Sequence, residues 1–272
     1  MRMVRKNQAG NWQAIPTNKF PRIARELSKG PEWEYPALIE KLKNPQDGSI
    51  LFRNNKNTIL TERTGFVFTR FDNEYPNQSP IQARQINTIM GLSPDVEKLC
   101  HISQLTPQEK VDYRLMYRDI RHKQIAIDLP AGCRLHILGP DDHKKILPLE
   151  LQYQKEEVLL PGHTLPVQAL SLRLKKSLHS QAGIAIMHRD AIVAKAHTNA
   201  QGLRCCQIGG VYTIKEYRGR GMAKAAMQAL MQYCSQHFDL CSLFVKPHNY
   251  SGMSLYRQLD FIPAGDYTIA YA

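Results

Sequence analysis

One stretch constrains this chain more than any other: Gly209-Gly210-Val211-Tyr212-Thr213-Ile214-Lys215-Glu216-Tyr217-Arg218-Gly219-Arg220-Gly221-Met222-Ala223. A strand is predicted to end near Ile214. A short turn and two glycines follow, and then a helix over 224–236. Met222, Ala225, Ala226, Ala229, Leu230 and Tyr233 recur at the offsets of one buried helix face. The glycines therefore fall at the helix N-terminus, where backbone N–H groups lack intrahelical partners and the helix dipole adds partial positive charge. Glycine lets an anion approach that backbone without meeting a Cβ. Arg218 and Arg220 add formal charge and paired donors. Such a turn suits a diphosphate. It is neither a Walker loop nor a dinucleotide fingerprint, because Gly-Lys-Ser/Thr and the G-x-G-x-x-G spacing are both missing.

Two further elements follow in order. After about 30 residues, the length of a strand–helix–strand unit, comes Leu243-Phe244-Val245-Lys246-Pro247-His248-Asn249, a strand running into an Asn. Then comes Leu255-Tyr256-Arg257-Gln258-Leu259-Asp260-Phe261. The Arg-x-x-Gly-x-Ala of Arg218, Gly221 and Ala223, the strand with its Asn, and the Leu-Tyr-x-x-Leu helix together resemble the GNAT acetyltransferases. The resemblance covers the last half of the chain and is strongest from Gly209 to Tyr267. It implies the GNAT acyl-CoA N-acyltransferase fold, a mixed α/β architecture with a mostly antiparallel sheet flanked by helices. It also implies acetyl-CoA as co-substrate, with no metal. Backbone groups of Val211, Tyr212 and Thr213 are expected along the pantetheine arm. The amides of Arg218, Gly219, Arg220, Gly221, Met222 and Ala223 are expected on the pyrophosphate, and Asn249 where two strands splay. Where the family usually places Gly after Leu-x-x-Leu, this chain has Asp260. A left-handed C-cap is expected there, which Asp tolerates better than most residues.

In direct acyl transfer a neutral amine attacks the thioester and the departing thiolate needs a proton. Tyr256, implied near the thioester sulfur, is the candidate acid, since a phenol's ordinary pKa of about 10 lies close enough to a thiol's; its other role is that of a core tyrosine. The strand before the motif carries no carboxylate, so the base stays open among Glu156, Glu157, His197 and water. The resulting expectation is an N-acetyltransferase moving acetyl from acetyl-CoA directly to a primary amine, of a small molecule or a protein. The alternative is a non-catalytic acyl-CoA-binding or sensing module. A nucleic-acid factor is disfavoured: of the formal charge of +12, each of the segments 1–130 and 131–272 supplies +6, without a dense basic run.

With 272 residues, the chain can hold two domains. Leu129-Pro130-Ala131-Gly132 is the best boundary, giving residues 1–130 and 131–272. In the first half, helices are predicted over 21–29, 33–43, 79–90 and 94–102, with another starting at Thr106-Pro107-Gln108-Glu109 and extended chain over 113–120. Strands are predicted at 49–53, 57–61 and 65–71. This helix–helix–strand–strand–strand–helix order suggests a degenerate GNAT-like copy, expected to wall the acceptor pocket and cover a free sheet edge. No sequence repeat is evident, and 65–88 has nothing like the cradle. The polar start, Met1–Gln13, does not read as a signal peptide, no stretch approaches the ~20 apolar residues of a membrane span, and the six cysteines lack metal spacing. The expected location is therefore cytoplasmic. Acceptor identity, acyl length and oligomeric state are not legible.

Overall fold

The structure, a computed structural model, describes residues 12–72, 75–121, 124–159, 162 and 164–272. Of the Met1–Gln13 stretch read in the sequence, residues 1–11 lie outside the described residues. Two compact units emerge. The first comprises Met1–Met116, Phe244–Tyr250 and Pro263–Ala272; the second comprises Tyr117–Leu243 and Ser251–Ile262.

The chain runs β1 (Gln13–Ile15), α1 (Phe20–Leu27), α2 (Pro36–Lys43), β2 (Ile50–Asn54), β3 (Asn57–Thr61), β4 (Phe66–Arg70), β5 (Thr88–Leu92), α3 (Ser93–Ser103) and β6 (Glu109–Asp119). It then runs β7 (Cys133–Ile137), α4 (His143–Tyr153), α5 (Val167–Ser180), β8 (Gly183–His188), β9 (Ala191–Gln201), β10 (Cys205–Thr213), α6 (Met222–Cys234), β11 (Leu240–Val245), α7 (Tyr250–Gln258) and β12 (Ile262–Tyr271). The second series repeats the first element by element, with one exception. Between β10 and β11 stands α6, whereas the described residues of the 71–87 connection between β4 and β5 form a single 3-10 turn at Ala83–Gln85. Both strand pairs, β4 with β5 and β10 with β11, are parallel, and the other registered pairs are antiparallel. So the N-terminal unit repeats the layout of the C-terminal half but lacks the helix whose N-terminus forms the candidate cradle.

In the first unit the sheet order is β1-β2-β3-β4-β5-β12. The C-terminal strand β12 pairs antiparallel with β5, from Tyr267 opposite Leu92 to Tyr271 opposite Thr88. Ala270 thereby joins the core of Ile59, Val67, Ile89, Val96 and Leu99. Helix α1 covers this unit with Phe20, Ile23, Ala24 and Leu27, one stripe at i, i+3, i+4 and i+7. Two helix expectations fail here. Residues 79–90 carry Ser-Pro at a plausible helix start, yet the β-branched Thr88 and Ile89 enter β5 beside β4. Residues 109–112, expected to be helical, are also strand, continuous in β6 with the extended stretch expected from Tyr113: Gln108 N–H donates to the Tyr271 carbonyl at 2.8 Å, committing the chain to extended pairing from the outset. In both places tertiary pairing overrides a local start signal.

The second unit carries the order β11-β10-β9-β8-β7. Leu138, Ile146, Leu174, Leu178 and Ala185 pack α4 and α5 on this sheet. The β8–β9 hairpin turns through Arg189, at φ +53°. The segment before β7 is strapped along α6. Ile125 N–H donates to Gln232 Oε1 at 2.7 Å, Asp128 N–H to Gln228 Oε1 at 3.0 Å, and Lys224 Nζ lies 2.6 Å from Asp128 Oδ2. Among the described residues no helix is long and apolar enough to cross a membrane, and no group of three or more His, Cys, Asp or Glu could hold a metal ion.

Candidate acyl-CoA site

Helix α6 begins as its sequence requires. Gly221 is the N-cap, at φ +79° and ψ +1°, a left-handed conformation that any Cβ would strain. Its carbonyl accepts the first helical bond from Ala225 N–H at 3.0 Å. Having no side chain, it leaves the N–H groups of the first turn facing outward. A Cβ at this position would meet only Pro130 Cγ at 3.8 Å, and one at Gly219 would meet nothing within 4 Å. The turn thus offers backbone donors, a helix N-terminus and open space, which fits a diphosphate group. Met222, Ala225, Ala226, Ala229 and Leu230 are buried as the periodicity predicts, together with Met227, Met231 and Cys234. Tyr233, assigned to the same stripe, is instead 39% exposed.

Arg218 is half-exposed but tied to its neighbours. Its Nη2 donates to Glu156 Oε2 at 2.6 Å, its Nε to the Thr213 carbonyl at 3.0 Å, and its guanidinium lies 5.4 Å from the Tyr212 ring centroid. Glu156 Oε1 also accepts from Tyr212 Oη at 2.7 Å. These hydrogen bonds from Tyr212 and Arg218 hold the Glu156 carboxyl below its ordinary range. Burial and then Glu156 push the Tyr212 phenol up to about 12. Glu156 stands on the single π-helical turn Gln154–Val158 that follows α4. That turn therefore braces both the end of β10 and the glycine loop. Glu156, weighed as a base from sequence, is an anchor, and the guanidinium of Arg218 is compensated. Arg220 lies 5.4 Å from the Tyr217 ring, whose hydroxyl is 3.0 Å from His188 Nδ1.

Strand β10 is irregular just before the cradle. Its register with β9 passes from Gly209–His197 to Tyr212–Lys195, so Gly210 and Val211 oppose Ala196 alone. This is a β-bulge, which bends the strand and takes a residue out of the ladder. Gly210 sits at φ +55°, and a Cβ there would overlap the His197 imidazole. Beneath the bulge lies a buried polar cluster that the sequence reading missed. Lys195, wholly buried, donates from Nζ to the Gly210 carbonyl at 2.7 Å, pairs with Glu150 Oε2 at 2.9 Å, and lies 4.4 Å from the Tyr153 ring centroid. Burial lowers the Lys195 pKa against the pull of Glu150. Burial raises that of Glu150, but Lys195, His197 and Gln154 outweigh it and hold the carboxyl low. His197, another candidate base, is pushed down to about 4 by burial and then by Lys195. The available signals were a lysine inside the apolar run Ile192–Ala196 and a Glu on the buried face of α4, four residues after Ile146.

Tyr256 lies on α7 and is 8% exposed, with its ring edge-on to Phe261 at 6.0 Å. Burial first, and then Glu157, raise its phenol above the ordinary value. The helix ends as the Asp260 substitution requires: Asp260 is left-handed at φ +55°, and Phe261 N–H donates to the Tyr256 carbonyl at 3.0 Å. Arg118 Nη2 lies 3.4 Å from Asp260 Oδ2, and Nη1 donates to the Leu259 carbonyl at 2.8 Å. Asn249 belongs to the first unit, in the turn where its N–H meets the Lys246 carbonyl at 3.0 Å.

Residues 154–261 match the sequence profile of the Acetyltransferase (GNAT) family. No curated protein matches the sequence. Among solved structures, a Drosophila protein superposes with a TM-score of 0.69 at 9% identity, covering 96% of this chain and 98% of its own. A tandem GNAT protein from the clavulanic acid biosynthesis pathway gives a TM-score of 0.62 at 11% identity, covering 96% and 98%. A GCN5-related N-acetyltransferase from Sphaerobacter thermophilus gives 0.56 at 16% identity, covering 96% and 94%. At these identities the likeness is one of fold, and it extends over nearly the whole chain. The chain is therefore similar to the GNAT acetyltransferase family over residues 154–261, within a fold shared along nearly its whole length with a tandem GNAT protein.

Proposed function

We propose that this protein is an N-acetyltransferase that moves the acetyl group of acetyl-CoA directly to a primary amine. The observation that carries this reading is the left-handed, side-chain-free start of α6 directly after a bulged strand, in the domain that matches the family. On this reading the amides of Arg218, Gly219, Arg220, Gly221, Met222 and Ala223 hold the pyrophosphate. Backbone groups of Val211, Tyr212 and Thr213 pair with the pantetheine arm. The Arg218 and Tyr212 side chains act as struts.

Tyr256 is the proposed acid. Its raised pKa keeps the phenol protonated at neutral pH, and a buried departing thiolate is raised by the same desolvation, so transfer between them stays balanced. Glu156 is ion-paired and His197 is held neutral with a low pKa, so neither supports a base role. The acceptor accordingly arrives as a neutral amine or loses its proton to water. All the proposed cofactor and acid residues lie in 131–272, which we take as the catalytic domain, with 1–130 as a domain without a cofactor. Six free thiols among the described residues support a reducing compartment such as the cytoplasm.

Titration calorimetry of acetyl-CoA into the wild type and Gly221→Asp tests the reading. Saturable binding lost in the variant supports it, and release of free thiol with a screened amine completes it. Binding without thiol release from any amine leaves an acyl-CoA sensor. No binding to the wild type overturns both.

A further inference from the structure

The Lys195–Glu150 pair has no part in the chemistry above, although an ammonium with no solvent exposure is costly to keep. Its ammonium is enclosed by the Glu150 carboxylate, an ion pair at 2.9 Å, by the Gly210 carbonyl, to which it donates at 2.7 Å, and by the Tyr153 ring, whose centroid is 4.4 Å away. The carbonyl it holds belongs to the one peptide that the bulge takes out of the β9 register, Gly210–Val211. That peptide is planar and trans, so its N–H points opposite to its C=O. An ammonium drawing the Gly210 carbonyl one way turns the Val211 N–H the other way. A charge on the carbonyl also polarises the amide and strengthens its N–H as a donor. A strand held together by packing alone needs only the bulge. A buried charge spent on one carbonyl of that bulge points to a need for a fixed and sharpened donor.

We propose that Lys195 is a positioning residue for acyl transfer: through the Gly210 carbonyl it aims and polarises the Val211 N–H toward the thioester carbonyl oxygen of bound acetyl-CoA. Glu150 and Tyr153 hold the ammonium in place. The inference rests on the acetyl-CoA reading above and concerns this pair alone.

The test uses acetyl-CoA carrying 13C at the thioester carbonyl, bound to the full chain and read by isotope-edited infrared spectroscopy. In the wild type the bound carbonyl band falls below its position in water. In Lys195→Gln/Glu150→Gln, which removes both charges and keeps the volume, the band returns most of the way, while the Kd changes by less than about threefold. A second variant, Lys195→Met/Glu150→Leu, is expected to behave alike, since replacing both partners of a buried pair leaves no unpaired charge. Wild-type binding without a lowered band overturns the inference, as does a lowered band that survives in the variants. Loss of the fold in both variants also overturns it and assigns the pair to stability alone. Failure of the wild type to bind acetyl-CoA marks failure of the underlying reading, separately from that of Lys195.

Discussion

Glu156 Oε2 and Arg218 Nη2 stand 2.6 Å apart and join the π-helical turn after α4 to the loop that opens α6. The arginine of the motif is thus held by the protein and presents its backbone rather than its charge. Glu156→Gln keeps one hydrogen bond and loses the ion pair. The pair is partly exposed, so the stability cost is about 0.5–1 kcal/mol, or a Tm lower by about 1–4 °C. Acetyl-CoA affinity is expected to fall by about threefold to tenfold, because the loop must then be ordered by the ligand. Thermal melts and calorimetry on the same samples check both figures. An unchanged Kd would show that the clamp does not order the cradle.

Gly210 and His197 admit no side chain between them. Gly210→Ala both strains a left-handed backbone and drives a methyl into the imidazole. The expected cost is about 2–4 kcal/mol by chemical denaturation. Adding His197→Ala removes the overlap but not the strain, so the double variant should recover about 1–2 kcal/mol of that loss. Additive losses would locate the problem in the backbone alone.

Tyr256→Phe removes one oxygen from a buried ring that packs on Phe261. If the phenol protonates the leaving thiolate, kcat falls by about 100-fold while the acetyl-CoA Kd stays within about twofold. Single-turnover rates with an accepted amine, beside calorimetry, separate the two. A full rate would return Tyr256 to the core.

The cradle was legible because glycine, arginine and an apolar helix stripe announce a helix N-terminus locally. So was Asp260, whose left-handed conformation follows from its place after Leu-x-x-Leu. Ser79–Met90 and Thr106–Glu109 were misread because their local starts resemble helix caps, while β4 and β12 claim them as strands from far along the chain. The element-by-element repeat was hidden for a related reason: topology survives where sequence identity does not, and the N-terminal unit joins β4 to β5 without the one helix that carries a motif. Lys195 and Glu150 escaped because each looks like an ordinary charge until β9 and α4 bring them together.

His197 offers a test of that buried cluster through pH. Burial and the neighbouring Lys195 depress its pKa to about 4, with Glu150 acting in the opposite sense. In the unfolded chain it titrates near its ordinary value of about 6.5. Between pH 6.5 and 4 the unfolded state therefore binds the extra proton, and stability falls as the pH falls through this window. The full gap corresponds to about 3–4 kcal/mol. In the first unit burial raises Glu34 to about 7 and Asp95 to about 6, and these carboxyls act in the opposite sense, favouring the folded state as pH falls. Only the difference between wild type and His197→Phe isolates the imidazole. Urea unfolding from pH 7 to 4 should show the wild type losing stability faster than His197→Phe, with the two curves converging in slope above pH 7. Parallel curves across that range would mean that the ring is protonated, or solvated, in the folded protein.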